Sequence, residues 1–146
     1  MARDWLEVGK LDKAAEYLHG ALRANPDHTE ARYLFALLSL QCGDFDKAKH
    51  FLDDLEEDAP SESVYLLLGA MYYRQQKFVE ALGALENAIA MNPNSAAAFY
   101  NQAVVYMDMP NMTMERKLQI ALLTYQRAVQ LGAARDTALE ARLGVK

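Results

Sequence analysis

The sequence has one cysteine, four prolines and no continuous apolar segment long enough to cross a bilayer. Because Cys42 is the only thiol, no intrachain disulfide forms, and the fold does not require an oxidising compartment. The first thirty residues also lack the apolar run that a signal peptide needs. These absences predict a soluble protein without direct membrane insertion, and they favour a cytoplasmic over a periplasmic location.

Basic residues are also in the minority. Lysine and arginine number 15 against 20 aspartates and glutamates, which gives a formal net charge of -5. Proteins that bind nucleic acid carry a basic surface, so the charge balance argues against a nucleic-acid partner. The chain is 52% hydrophobic and 24% charged, which is typical of a folded helical protein with a large buried face.

No catalytic or metal-binding motif is present. His19, His28 and His50 are far apart in the sequence, and Cys42 has no neighbouring base. Glycine-rich phosphate loops, paired cysteines and serine elbows are absent too. We therefore interpret the histidines as surface or packing residues, and we expect a protein that is not an enzyme and has no cofactor or metal.

The sequence does contain a repeated pair of amphipathic helices. The segment from Tyr65 to Pro93 shows it most completely, because apolar residues recur there every three or four positions on both sides of a short polar turn. Equivalent residues recur along the chain at a constant spacing. A spacing of 34 residues separates Gly9 from Gly43, Ala14 from Ala48, Leu18 from Leu52 and Pro26 from Pro60. A spacing of 33 residues separates Ala48 from Ala81, Leu52 from Leu85 and Pro60 from Pro93.

A helix-turn-helix unit of this period, with a small residue in its second helix and proline at its boundary, resembles the tetratricopeptide repeat family. The resemblance implies an all-α fold, a right-handed α-solenoid with a C-terminal capping helix, in a single domain of residues 1–146. The expected parts are a partial repeat at 1–26, repeats at 27–60, 61–93 and 94–132, and the capping helix at 133–146. Ala81 and Ala121 are 40 residues apart, which predicts an insertion between the helices of the last repeat, at about 108–116.

Local signals predict several helix ends. Asp27 and Glu30 have the spacing of a capping box, Gly43 suits a left-handed helix end, and Asp44 and Asp136 are positioned to cap the helices that follow them. Only eight residues precede Gly9, too few for a complete first helix. We expect either that the parent protein continues upstream or that a second copy of the chain covers this open end as a homodimer.

In this family the first helices of successive repeats line a concave groove, so the resemblance implies a protein or peptide partner. The implied lining residues are Tyr33, Leu34, Leu37, Leu66, Leu67, Ala70, Tyr73, Arg74, Tyr100, Asn101 and Val104. The lining is mainly aliphatic and tyrosine, which suits an extended or helical segment with apolar anchors. Of these residues only Asn101 fits the carboxylate clamp of chaperone-binding members. The alternative is that neighbouring helices or a second copy close this face.

The predicted function is a non-enzymatic interaction module that binds a partner segment in the groove. One alternative is a secretion or assembly chaperone that holds a segment of an exported protein. Another is a copper-handling protein, because Met107, Met109, Met112 and Met114 lie close together and thioethers bind copper(I). The same methionines also suit flexible apolar contacts. The acidic residues 53–58 predict a solvated outer face or a contact for a basic partner.

Overall fold

A computed structural model describes residues 1–145, which contain nine α-helices and no β-strand. The helices are α1 (Ala2–Glu7), α2 (Leu11–Ala24), α3 (Thr29–Gln41), α4 (Phe45–Asp58), α5 (Glu62–Arg74), α6 (Phe78–Met91), α7 (Ala96–Asp108), α8 (Met114–Gln130) and α9 (Thr137–Leu143). The chain divides into two compact units within α5: unit 1 is Met1–Leu67 and unit 2 is Leu68–Lys146. No helix among the described residues is long and apolar enough to span a membrane.

The second helix of each pair buries one stripe of small and aliphatic residues. In α2, Ala14 and Leu18 are buried four residues apart, and in α4 the equivalent Ala48 and Leu52 are fully buried. Residues three or four apart lie on the same helix face, which explains why the remaining positions of these helices can be polar. The repeated sequence pattern therefore corresponds to a repeated packing pattern.

In unit 1, α3 packs against both α2 and α4, and α1 packs against α2 and α3. Because α3 is covered from several directions, it buries residues around much of its circumference. Its buried residues are Ala31, Leu34, Phe35, Ala36, Leu38, Ser39 and Leu40. The segment before Gly9 forms α1, which has six residues, whereas α3 has 13. α1 is thus less than half the length of α3.

In unit 2, α7 packs against α6 and α8, and α9 packs against α8. Gly69 of α5 faces the buried Leu85 of α6 so closely that an added Cβ would lie 3.0 Å from the Leu85 side chain. The small residue therefore permits a close helix approach, as the repeat pattern predicts. At the C-terminal end, Leu139 and Leu143 of α9 are buried in a cluster with Tyr125, so α9 covers the last helix pair.

The insertion predicted at about 108–116 divides between a longer loop and a longer helix. The link between α7 and α8 spans 109–113, whereas the link between α5 and α6 spans only 75–77. α8 begins at Met114 and has 17 residues, whereas α6 has 14. The additional residues form helix because Thr113 caps them: its hydroxyl oxygen accepts a hydrogen bond from the backbone N–H of Arg116 at 3.4 Å.

Three of the predicted helix ends are confirmed. Gly43 has a left-handed backbone with φ +77° between α3 and α4. The Asp44 carboxylate accepts the backbone N–H of Lys47 at 3.1 Å, and that of Asp136 accepts two backbone N–H groups at the start of α9. Each carboxylate satisfies amide groups that a helix start leaves without an intrahelical partner.

The capping box at Asp27 and Glu30 was a wrong prediction. The residue that caps α3 is His28, whose Nδ1 accepts the backbone N–H of Ala31 at 3.3 Å. Asp27 lies in the preceding turn, and its carboxylate accepts a hydrogen bond from the Arg32 guanidinium. The ion pair with Arg32 holds the Asp27 carboxylate away from the helix start, and the histidine ring takes the capping position.

Candidate functional site

The eleven predicted lining residues fall in both units. Tyr33, Leu34 and Leu37 lie on α3 in unit 1 with Leu66 and Leu67 of α5; Ala70, Tyr73 and Arg74 of α5 lie in unit 2 with Tyr100, Asn101 and Val104 of α7. The two groups differ in how far their side chains are already used in packing.

In unit 1 the predicted residues belong largely to the core. Leu34 is 5% exposed and Leu67 is 8% exposed. Tyr33 and Leu37 are half-buried and pack against the cluster formed by α1, α2 and α3. Leu66 is half-buried. Leu34 and Leu67 are too enclosed to offer much surface to a ligand.

α1 covers the part of α3 that carries Tyr33. Arg3 of α1 donates a hydrogen bond to the Glu30 carboxylate of α3 at 3.4 Å. Burial raises the pKa of the Tyr33 hydroxyl, and the charge of Arg3 opposes that rise. A neighbouring helix of the same unit therefore occupies a surface that the groove prediction leaves open.

In unit 2, five of the six predicted residues line one cavity, which we call the α5–α7 cavity. It has a volume of about 200 Å³. Its lining residues are Gly69, Ala70, Tyr73, Leu85, Tyr100, Asn101, Val104 and Val105. The sixth residue, Arg74, is exposed and is not part of this lining. Two first helices thus bring together aliphatic side chains, two tyrosines and one amide.

A second cavity of about 650 Å³ adjoins the first, and we call it the α7–α9 cavity. It is bounded by the first turns of α7, including Ala96 and Ala97, and by residues 133–137 that lead into α9. Tyr100 and Asn101 line both cavities. These two residues are therefore the common wall of a surface that extends along α7.

Asn101 is the polar residue whose hydrogen-bonding groups remain available on this surface. Its side chain is half-buried, and no residue in the described part of the chain hydrogen-bonds to it. An amide side chain can donate two hydrogen bonds and accept two. It therefore offers the α5–α7 cavity both a donor and an acceptor.

The two tyrosines of the α5–α7 cavity have fixed hydroxyl groups. The Tyr73 hydroxyl donates to Asp108 Oδ2 at 2.5 Å, and that of Tyr100 donates to Asp136 Oδ2 at 2.6 Å. The bond to Asp108, with burial, raises the pKa of Tyr73 to about 12. The bond to Asp136, again with burial, raises the pKa of Tyr100. The ring of Tyr73 also packs edge-on against Phe78, with centroids 6.1 Å apart.

The carboxylates that hold these hydroxyls were not recognised as tyrosine partners from the sequence. Burial pushes the pKa of Asp108 upwards, but hydrogen bonds from Tyr73 and Arg142 outweigh it and lower the pKa. The pKa of Asp136 is lowered by its bond from Tyr100 and by backbone N–H groups of α9. The one sequence signal was the spacing, since each tyrosine precedes its aspartate by 35 or 36 residues, close to the repeat period.

The other sequence candidates lie apart from this surface. His19, His50 and Cys42 are exposed. Within residues 1–145, no three histidine, cysteine, aspartate or glutamate side chains converge on a potential metal site. Met107 is 7% exposed and packs in the cluster of unit 2, whereas Met114 is 63% exposed. The methionines thus have different environments, and Met107 serves as a core residue.

The acidic residues 53–58 include two that form ion pairs within unit 1. Asp58 Oδ2 accepts a hydrogen bond from Arg32 Nη1 at 2.8 Å, and Asp53 accepts one from Lys49 Nζ at 2.6 Å. Both carboxylates remain substantially exposed. Exposed pairs of this kind contribute little to stability, so the segment is a solvated face with partial internal charge compensation.

Comparisons with known proteins agree with this architecture. Residues 6–71 match a family model described as tetratricopeptide repeat, and residues 62–109 match one described as TPR repeat. A TPR repeat-containing protein of Methanocaldococcus jannaschii is 30% identical over 97 residues, 66% of this chain and 30% of that protein. The Hsp70-Hsp90 organising protein of Plasmodium falciparum is 47% identical over 45 residues, 31% of this chain and 8% of that protein.

Both curated relatives are thus much longer than the part that this chain matches. Among solved structures, PilF of Pseudomonas aeruginosa superimposes with a TM-score of 0.81 at 19% identity, covering 97% of this chain and 62% of that one. At this identity the likeness concerns the fold alone, and it confirms the predicted all-α fold class. Repeat period, helix pairs, family models and fold together place this chain in the tetratricopeptide repeat family.

Proposed function

We propose that this tetratricopeptide repeat protein is an interaction module that binds a segment of a partner protein on unit 2. The observation that carries the proposal is the convergence of Ala70, Tyr73, Tyr100, Asn101 and Val104 on one cavity. Stacked helical repeats commonly use such surfaces for extended ligands. The family likeness supports a protein partner but does not identify it.

The lining favours an apolar anchor side chain beside a polar backbone. At about 200 Å³ the α5–α7 cavity is smaller than the pockets of drug-sized ligands, which measure about 300–1,000 Å³. Ala70 and Val104 provide apolar contacts, and Asn101 supplies a donor and an acceptor for a peptide group. We therefore expect an extended or helical peptide whose apolar residue enters this cavity and whose chain continues into the α7–α9 cavity.

We assign no catalytic step to this surface. The side chains that line the α5–α7 cavity are aliphatic, phenolic and amide groups. The two phenols are hydrogen-bonded to carboxylates and have raised pKa values, so they are poor general bases at neutral pH. This chemistry supports recognition rather than turnover.

An assembly-chaperone role is the second candidate, because the chain is similar over 45 residues to an Hsp70-Hsp90 organising protein. That relative's name concerns heat-shock proteins, whereas the chemistry of this surface is that of apolar anchoring around Asn101. Under the chaperone hypothesis, co-expression raises the soluble yield of the natural partner, and an Asn101→Ala variant loses this effect. Equal soluble yields with and without the module would remove this candidate.

Copper handling remains a prediction with less support. Met107 is packed in the core of unit 2, so its sulfur is available to copper only after local rearrangement. A competition titration with a copper(I) chelator is the direct test. Failure to withdraw copper from the chelator would exclude this role.

The interaction proposal is tested with a peptide probe. A random peptide library displayed on phage is selected on the whole protein, and the strongest peptide is synthesised as the probe. Asn101→Ala is expected to weaken its binding about fivefold, since a hydrogen bond contributes roughly 1 kcal/mol and each 1.4 kcal/mol is a factor of ten.

Asn87→Ala is the matched control, because Asn87 is exposed on α6 and does not line either cavity. The proposal requires that this variant bind the probe like the unmodified protein. Equal affinity of the Asn101 variant and the control would contradict it.

A further inference from the structure

Three tyrosine hydroxyls of unit 2 are connected to α9 through carboxylates. Tyr100 donates to Asp136, the residue that caps the start of α9. Tyr125 donates to Glu140 in the middle of α9 at 2.8 Å. Each bond has a charged acceptor, which makes it stronger than a bond between neutral groups. The capping helix is therefore attached to the rest of unit 2 by polar as well as apolar contacts.

The third connection reaches the end of α9. Tyr73 donates to Asp108 Oδ2, and Arg142 Nη2 of α9 donates to the other oxygen of the same carboxylate at 2.5 Å. Asp108 thus joins a tyrosine of α5 to an arginine of α9. Since Asp108 is not among the residues that line the α5–α7 cavity, it acts on that cavity only through Tyr73.

The two tyrosines of the α5–α7 cavity are therefore linked to α9 to different degrees. The Tyr100 hydroxyl is held directly by Asp136 at the start of α9, whereas the Tyr73 hydroxyl is held by Asp108 of α7, whose carboxylate Arg142 of α9 fixes from its other oxygen. The charged groups around the connection favour ionised carboxylates, because the pKa values of Asp108 and Asp136 are lowered. At neutral pH both acceptors are ionised, so both hydroxyls stay fixed while α9 is docked.

α9 cannot be stable without these contacts. It has seven residues, and isolated helices shorter than about 12–15 residues are marginal in water. Its docking depends on the burial of Leu139 and Leu143, while the ion pair of Glu140 with Arg135, in which Arg135 Nε lies 2.7 Å from the carboxylate, is local to this segment. Short terminal elements of this kind open at lower free energy than the core they cover.

We infer that α9 is a latch for the partner-binding surface of unit 2: its docking holds Tyr100 through Asp136 and braces the Tyr73–Asp108 pair through Arg142, and its release frees Tyr100 and removes that brace. The inference rests on the proposed function. Because coupling between two binding events is reciprocal, a segment bound to the α5–α7 cavity stabilises the docked state of α9. Conversely, a change that loosens α9 weakens the binding of that segment without touching it. Asp108 and Arg142 are then positioning residues for a site that they do not line.

The connection is tested first without any ligand. Amide hydrogen exchange of residues 137–143 is measured in the whole protein with Tyr73→Phe and Tyr100→Phe combined. The lost hydroxyls are expected to speed exchange of α9 at least tenfold. The control combines Tyr72→Phe and Tyr106→Phe, since neither of these hydroxyls is hydrogen-bonded within the described residues. Equal exchange of α9 in the two double variants would overturn the inference.

The coupling is tested second with the phage-selected peptide. Arg142→Ala is expected to lower its affinity about threefold to tenfold, and saturating peptide is expected to slow the exchange of α9 in the unmodified protein. Arg116→Ala is the matched control, because the Arg116 guanidinium forms no ion pair within residues 1–145.

The two failures are distinguishable. If the peptide depends on Asn101 but is insensitive to Arg142 and leaves the exchange of α9 unchanged, the latch is wrong and the interaction surface stands. If the peptide does not depend on Asn101, the proposed function fails, and the coupling inferred from it fails as well.

Discussion

Leu34, Leu67 and Asn101 occupy the same position in three successive repeats, with spacings of 33 and 34 residues, yet they serve different purposes. The two leucines of unit 1 are buried, whereas Asn101 of unit 2 is half-buried between two cavities. A repeat position is defined by where it lies on its helix, but its use depends on what covers it. In unit 1 the short α1 covers α3, and in unit 2 the equivalent face of α7 borders open cavities.

The two units also differ in charge. Residues 1–67 contain 14 acidic and seven basic side chains, whereas residues 68–146 contain six acidic and eight basic ones. The net charge of the chain therefore comes from unit 1, where the acidic residues 53–58 add to a solvated face. Unit 2 is nearly balanced, and several of its carboxylates accept hydrogen bonds from tyrosines. If the two units differ only in their surfaces, equivalent substitutions in their cores have equal effects on stability.

The largest effects are expected in the two cores, where the units should behave alike. Leu52 and Leu85 are equivalent residues and both are fully inaccessible to solvent. Leu52→Ala and Leu85→Ala should each lower the free energy of unfolding by about 2–5 kcal/mol, because each leaves a cavity in a close-packed interior. Urea denaturation measures both. A difference of more than about 2 kcal/mol between them would show that the cores are not equivalent.

Smaller changes in stability, of opposite direction, are expected when two glycines of unit 2 are replaced by alanine. Gly69→Ala should destabilise by about 1 kcal/mol, since overpacking against the buried Leu85 costs about 1–3 kcal/mol and better helix propensity returns part of it. Gly83→Ala on α6 meets nothing within 4 Å and should stabilise by up to about 1 kcal/mol. Thermal unfolding of both variants gives the comparison, and equal signs would contradict the close approach of α5 and α6.

Alkaline pH should affect the tyrosine connections of unit 2. The folded pKa of Tyr73 is about 12, above the ordinary value of about 10, so its contribution to stability is present below pH 10 and is lost as the pH rises towards 12. An absorbance titration of tyrosinate should show a late component that Tyr73→Phe reduces and Tyr72→Phe leaves unchanged, the remainder coming from other tyrosines with raised pKa values, such as Tyr100. A late component unchanged in the Tyr73 variant would contradict the bond to Asp108.

Acid should also weaken the contacts of α9, in this case by protonating the carboxylates that accept the hydrogen bonds. The pKa values of Asp136 and Glu140 are lowered in the folded state, the first chiefly by Tyr100 and the second chiefly by Arg135. Their stabilisation is present above the ordinary carboxyl pKa of about 4 and is lost as the pH falls through the lowered values. Hydrogen exchange of α9 should therefore accelerate below about pH 4 before that of α7 does.

The smallest effect on stability is expected at the turns between the two helices of a repeat. The two units have different residues there, but both residues adopt a left-handed backbone conformation. Gly43 of unit 1 has φ +77°, and Gln76 occupies the equivalent turn of unit 2 with φ +59°. Gln76→Gly should stabilise by up to about 1 kcal/mol, because a left-handed backbone is strained for residues with a Cβ, whereas Gly43→Ala should destabilise. Chemical denaturation of the two variants measures both changes; a destabilised Gln76 variant would refute this account of the turn.

Much of the fold could be predicted because its causes are local. A glycine at a helix end and an aspartate before a helix act within a few residues of where they stand, as Gly43, Asp44 and Asp136 do, and the period of 33 or 34 residues repeats such local signals along the chain. The wrong predictions concern competition between local signals. Asp27 had the right spacing for a cap, but Arg32 holds its carboxylate, and the cap at Thr113 extends α8 into part of the predicted insertion.

The surface was harder to predict because it depends on distant residues. A groove position on α3 is no different in sequence from one on α7, and only the packing of α1 against α3 distinguishes them. The bonds Tyr73–Asp108 and Tyr100–Asp136 join residues more than one repeat apart. The family resemblance therefore indicated the lining residues of both units, while the packing decides which of them remain accessible.

The central claim is that the partner-binding surface lies on unit 2 and not on unit 1. Its most direct test is to map the chemical-shift changes that the phage-selected peptide causes in the isotope-labelled protein. The proposed surface predicts that the largest changes occur at Ala70, Asn101 and Val104, with smaller changes along α9. Changes concentrated at Tyr33 and Leu37 of unit 1, with those of unit 2 unaffected, would contradict it.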